Sequence, residues 1–257
     1  MSILLLMDDG PPFPRSLFAS GEQGIWLDPS DFSTLFQDSA GTTPVTAVGQ
    51  PVGLALDKSG RGNHATQSTG ASRPTLQQDS NGLYYLSFDG TSDWMLTPSI
   101  NFTGTDAVTV FAGVRKNSDA ATGILAELST NSDSTNGTFA LAASVGGNNY
   151  YAQSRGTVRS TGTATDYVAP HSAVLVAEAK ISTDILRLHV NNAAPLSSAT
   201  DQGTGNYGNY PLYIGGRGGA SSPFNGRIYQ LIVRGAASNA GQIAAGEAWC
   251  NSKTRAY

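Results

Sequence analysis

At 257 residues the chain can bury one large core, and all-β sandwiches of this size are often one domain. Only 13% of residues are charged while glycines number 30, so polarity rests on Ser, Thr, Asn and Gly, which favours short strands and turns. A net charge of −4 excludes the basic footprint that nucleic acid requires, and the lone Cys250 excludes an intrachain disulfide framework and a Cys-rich zinc site.

Residues 1–23 read apart from the rest. Ile3-Leu4-Leu5-Leu6-Met7 is a short strand pattern, and Pro11, Pro12 and Pro14 after it enforce extended backbone. The opening lacks a basic n-region and is cut short at Asp8-Asp9-Gly10, so it does not read as a signal peptide. No window is long enough to cross a bilayer, and no membrane insertion is expected. Two readings stand side by side. Ile3–Met7 adds an edge strand to its own sandwich, or Ile3, Leu4, Leu5, Leu6 and Phe13 form an arm that docks on a neighbouring subunit by strand addition.

The domain proper is read as 24–257. Asp31–Phe36 suits a short helical turn capped by Ser30 or Asp31, and Thr46–Leu56 a strand near an edge. Two turn-forming knots, Asp57–His64 and Asp89–Asp93, bracket the alternating run Leu83–Phe88. Val108, Val110, Ala112 and Val114 share one strand face, as do Phe139, Leu141, Ala143 and Val145. Leu186, Leu188 and Val190 point opposite to Arg187 and His189, while Tyr229, Leu231 and Val233 alternate with Ile228, Gln230 and Ile232, so that strand reads as buried on both sides. The period then changes. Ile243, Glu247 and Cys250 lie at helical spacing behind a Ser238 cap, with Trp249 as a helix–sheet contact. The pattern predicts an all-β jelly-roll sandwich with a short C-terminal helix.

Asp57, Ser59, Gly60, Gly62, Asn63, His64, Ala65 and Thr66, followed by Phe88, Asp89, Gly90, Asp93 and Trp94, resemble the laminin-G-like / concanavalin A-like lectin–glucanase superfamily, in the versions found in bacteriophage virion proteins and bacterial surface proteins. Leu212–Gly216 and Phe224–Ile228 resemble the closing strands of such domains. The resemblance implies a concanavalin A-like jelly roll. It leaves function open, because the superfamily includes lectins, glycosidases, adhesion modules and structural proteins.

The glucanase branch carries E-x-D-x-E on one strand face, and that triplet is missing here. Neither Glu127 nor Glu178 has a carboxylate two residues away, and Glu178 reads as solvent-facing. There is no G-x-S-x-G elbow, and His64 reads as a residue that fixes its own loop. Gly203–Gly208 matches G-x-G-x-x-G, but a strand follows it, so it reads as a hairpin loop. Asp57, Asn63, Asp89 and Asp93 are suitable oxygen donors for Ca²⁺, as in related laminin-G-like modules; turn chemistry explains the same residues equally well. Tyr150, Tyr151, Tyr207, Tyr210 and Arg217 are candidates for sugar contact, as aromatic faces beside hydrogen-bonding groups.

The expectation is therefore a non-enzymatic virion protein on the particle exterior, decorating a capsid or attached to a tail. Its arm would meet other virion subunits or form a homo-oligomer, and its loops would meet host polysaccharide. The alternative is a lectin, with or without Ca²⁺, at a bacterial surface or outside the cell; a glycosidase ranks third. No other cofactor is expected.

Overall fold

The computed structural model describes residues 12–129, 131–144, 146–217 and 221–257. The first strands in chain order are β1 (Gly24–Leu27), β2 (Leu35–Phe36), β3 (Leu54–Ala55), β4 (Ala65–Thr66), β5 (Thr75–Gln78) and β6 (Tyr84–Asp89). There follow β7 (Met95–Asn101), β8 (Ala107–Lys116), β9 (Gly123–Leu128), β10 (Thr138–Ala143), β11 (Tyr150–Arg155) and β12 (Arg159–Ala164). The last are β13 (His171–Lys180), β14 (Ile185–Val190), β15 (Leu196–Ser198), β16 (Asn209–Ile214) and β17 (Asn225–Arg234), before helix α1 (Ala240–Thr254).

These strands make two antiparallel sheets. One runs β15-β14-β13-β8-β17-β6-β5, with β1 also paired to β17. The other runs β12-β11-β10-β9-β16-β7-β4-β3-β2. The sheets close face to face over one apolar core, so the chain is a jelly-roll sandwich. Strand alternation decides what enters that core: Val108, Val110, Ala112 and Val114 from one sheet meet Phe139, Leu141 and Ala143 from the other. Val145 lies outside the described residues. On β17 the alternation breaks. A register shift between Ile228 and Gln230 brings Ile228 onto the same core-facing side as Leu231 and Val233.

The outer face of the first sheet is apolar too, and the chain covers it with its own ends. Phe111, Val174, Val176 and Ile232 are buried there under Leu17, Phe18, Ile243 and Cys250. Helix α1 sits close because it presents Gly246 to the sheet; a Cβ there would lie 2.2 Å from the Phe111 ring. Its cap is Asn239, one residue later than the sequence places it. Gln242 N donates to the Asn239 side chain, and Asn239 N donates back to Gln242 Oε1.

The ends correct two expectations. Residues 12–23 are not an extended arm. Arg15–Phe18 form a short 3-10 turn that buries Leu17 and Phe18, because an apolar sheet face is there to receive them. Phe13 packs edge-on against Trp249 at 6.1 Å, and Trp249 in turn against Trp26 at 6.2 Å. Arg234 ties this segment down, donating to Leu17 O at 2.8 Å and to Glu22 at 2.7 Å. Ile3, Leu4, Leu5 and Leu6 lie outside the described residues. Glu178 does not face solvent either. His189 Nε2 lies 2.9 Å from its carboxylate and Nδ1 3.7 Å from Glu247 of α1, so the helix covers both strand residues. Gly203–Gly208 is no hairpin loop, since it lies between β15 of one sheet and β16 of the other.

Candidate functional site

The hairpins β9–β10–β11–β12 alternate between core and outer face. Leu125, Leu128, Phe139, Leu141, Tyr150 and Ala152 point inward. A bulge at Leu125, where Leu141 pairs with Ala126 and Ala142 with Ile124, leaves both Ile124 and Glu127 on the outer face. Across the strands two rows form there. Ile124, Ala142, Tyr151 and Thr163 make one; Glu127, Ala140, Gln153 and Thr161 make the other. The middle strand contributes only alanines, so its neighbours stand above it. The result is an open cleft of about 360 Å³ floored by Ala142, with Tyr151 and Thr161 on one side and Ile124 and Arg217 on the other.

A chain of ion pairs crosses this cleft. Glu127 is fully buried, and Arg217 Nε donates to its two oxygens at 2.8 and 3.1 Å. Arg217 Nη1 donates to Asp133 Oδ2 at 2.6 Å, and Arg159 Nη1 to Asp133 Oδ1 at 2.8 Å. Arg155 Nη1 donates to the Asp133 backbone carbonyl at 2.7 Å. Burial opposes ionisation of Asp133, but Arg217 and then Arg159 outweigh it and hold its carboxyl below the usual range. Tyr151 is half-buried and donates its hydroxyl to Gln153 Oε1 at 2.7 Å. Burial pushes its phenol up to about 12, so it stays neutral. Gln153 Nε2 and Ser132 Oγ, both buried, have no partner among the described residues.

Of the five sugar-contact candidates, the structure brings Tyr151 and Arg217 together in this cleft. Tyr150 and Tyr207 are corrections. Adjacent strand residues face opposite ways, so Tyr150 points into the core when Tyr151 points out; it is fully buried, its hydroxyl donating to His171 O at 3.2 Å. Tyr207 is buried against Phe139 and shares a hydrogen bond with Ser154 Oγ at 2.7 Å. Neither offers a face to a ligand. Tyr210 is partly buried away from the cleft, donating to Asn136 O at 3.3 Å. Sequence reasoning missed Asp133, Arg159 and Gln153 and set Glu127 aside. The first two carried a signal only as polar residues, Asp133 in the loop between β9 and β10 and Arg159 at the start of β12.

The four candidate metal ligands are engaged by hydrogen bonds within their own loops and, for Asp57 and Asn63, with β1. Asp57 Oδ1 accepts from Trp26 N at 2.9 Å and Ser59 N at 2.8 Å; Oδ2 accepts from Ser59 Oγ at 2.7 Å and Asn63 N at 3.0 Å. Asn63 Nδ2 donates to Gly24 O at 2.7 Å, and His64 Nδ1 accepts from Asp57 N at 2.9 Å. Asp89 accepts from the amides of Thr91, Ser92 and Asp93, and Asp93 Oδ2 accepts from Asp89 N. Burial and the neighbouring Asp89 push the Asp93 carboxyl up to about 6. Among the described residues no three His, Cys, Asp or Glu gather in metal-binding array.

No protein-family model matches the chain, and no curated protein matches it in sequence. Solved structures do. Domain 4 of AbnA, a GH43 extracellular arabinanase from Geobacillus stearothermophilus solved with arabinotriose, aligns at TM-score 0.59 and 13% identity, over 75% of this chain and 92% of that one. Trypanosoma rangeli sialidase aligns at 0.57 and 13%, over 91% of this chain and 33% of the sialidase. The binding domain of botulinum neurotoxin serotype D aligns at 0.57 and 8%, over 76% of this chain and 48% of that one. The likeness is one of fold.

Proposed function

We propose that this chain is a carbohydrate-binding β-sandwich that holds a saccharide without cleaving it, on the outer face of β9–β12. The observation that carries the reading is the alanine-floored hollow with Tyr151 beside it and the Arg217–Asp133–Arg159 ion pairs crossing it. A sugar ring offers an apolar C–H face to an aromatic ring and hydroxyls to fixed donors and acceptors, and the cleft supplies both. That a domain of like fold was solved with arabinotriose lends support.

Cleavage is not part of this reading. A glycosidase needs one carboxyl pushed up to act as proton donor. Asp133 is pushed down, and Glu127 lies closed off beneath Arg217. On a glycan array, Tyr151→Ala is expected to weaken the strongest signal by about 10-fold or more, and Ala142→Phe to fill the hollow and abolish it. Wild-type binding that survives Ala142→Phe in a folded protein places the ligand elsewhere.

The finer reading is a virion protein displayed on a particle exterior and attached through its first residues to other subunits. The resemblance of the Asp57–Thr66 and Phe88–Trp94 motifs to phage virion domains supports it, as does the apolar run Ile3–Met7. Because Leu17 and Phe18 are core residues, the truncation that tests it stops at residue 11. Removing residues 1–11 is expected to abolish incorporation into particles while the domain keeps its Tm. Normal incorporation of the truncated protein overturns the attachment role.

A further inference from the structure

We infer that the cleft selects saccharides that carry a carboxylate. The inference rests on the reading of the cleft as a saccharide site and names the ligand class within it. Three guanidinium groups, from Arg155, Arg159 and Arg217, converge on Asp133, while Glu127 is the other carboxylate of the group. The cluster thus holds one positive charge in excess, on a chain whose formal net charge is −4. Glu127 is fully buried behind Arg217, so its charge is spent before a ligand arrives. Tyr151 adds none, since its phenol stays neutral.

Among the described residues the excess charge has donors without acceptors. Arg159 spends Nη1 on Asp133, and its Nε–Nη2 edge has no acceptor among the described residues. That edge is a planar pair of N–H groups, the geometry that takes a carboxylate through two parallel hydrogen bonds. Arg217 spends Nε on Glu127 and Nη1 on Asp133, and its Nη2 has no acceptor among the described residues. Both arginines line the cleft with Tyr151. A neutral sugar would leave these donors to water. A carboxylated sugar pairs with Arg159 while its ring lies over Ala142 beside Tyr151.

The carboxylate has two natural sources, a hexuronic acid or a nonulosonic acid, and the test separates them. Calorimetric titration uses trigalacturonic acid against its methyl ester, and the methyl glycoside of N-acetylneuraminic acid against its methyl ester. Esterification removes the charge and keeps the sugar. The expected result is that the acid of one pair binds at least about 10-fold more tightly than its ester. Arg159→Gln brings that ratio close to one. Arg187→Gln, which removes the same charge from an exposed site on the other sheet, leaves the ratio as it was. Raising the salt from low to high weakens binding of the acid.

Equal binding of acid and ester, or an unchanged ratio in Arg159→Gln, overturns the inference and leaves the saccharide site standing. Binding of neutral glycans alone does the same. Failure to bind any glycan, on the array or in titration, overturns the saccharide reading and the inference together.

Discussion

Replacing Arg217 by leucine is expected to lower the unfolding free energy by about 3–5 kcal/mol, the largest single-site effect in the cleft. The cause is Glu127. Its side chain is fully buried, and Arg217 supplies the one opposite charge it touches among the described residues. Without the guanidinium the carboxylate keeps a single backbone donor, Ser132 N at 2.6 Å. A buried charge stripped of its partner costs far more than the pair contributed when intact, so the loss exceeds what an exposed ion pair of about 0–1 kcal/mol would give. The double variant Glu127→Leu/Arg217→Leu removes both charges and is expected to recover most of the loss. Urea unfolding of the four proteins in the cycle measures this. A loss below about 1 kcal/mol for Arg217→Leu would mean that water reaches Glu127 and that the pair behaves as a surface pair. Glycan binding should fall in both variants, so stability and binding separate: the double variant is stable and does not bind.

How far this was legible from sequence follows from the physics of each residue. Period-two alternation is local, and it assigns Val108, Leu141, Leu186 and their strand-mates to the core correctly. It also contains a warning. Tyr150 and Tyr151 are adjacent, so at most one faces out, and only the position of β11 relative to the second sheet decides which. Bulges defeat the rule altogether. At Leu125 and between Ile228 and Gln230 an inserted residue changes which parity faces the core, and no local signature announces it. Glu178 and His189 look outward from their strands and do point away from the sandwich core; what covers them is α1, which is distant in sequence. Arg217 and Glu127 are 90 residues apart, and their meeting depends on the pairing of β16 with β9. Sequence reasoning sought a catalytic partner for Glu127 two residues away, whereas its partner was a cation on the neighbouring strand's exit loop.

The motif that was most legible carries the other large effect. Asp57→Ala is expected to cost about 2–4 kcal/mol, and Asp57→Asn nearly as much. The loop from Asp57 to His64 connects β3 and β4 of the second sheet, while Trp26 and Gly24 belong to β1 of the first. The Asp57 carboxylate accepts from Trp26 N, and Asn63 donates to Gly24 O, so this loop fastens one sheet to the other at their edges. Four donors converge on two carboxylate oxygens, and alanine strands all of them in a buried place, where each unmet amide costs about 1–3 kcal/mol before relaxation. Asparagine restores one oxygen but turns an NH₂ toward Asn63 N–H or Trp26 N–H, donor against donor. That near-equality of Ala and Asn is the mark of a carboxylate used as a double acceptor. Urea unfolding of the two variants checks it, and Asn at wild-type stability would show that one oxygen suffices. A metal role predicts something else: Ca²⁺ would raise the Tm of the wild-type protein, chelator would lower it, and both responses would vanish in Asp57→Ala. With every Asp57 oxygen already accepting two hydrogen bonds, the expected result is a wild-type Tm that neither addition moves. Three of these bonds, from Ser59 and Asn63, hold the loop in shape, and the fourth, from Trp26 N on β1, crosses to the other sheet, so a carboxylate filled by its own loop also serves as a fastener.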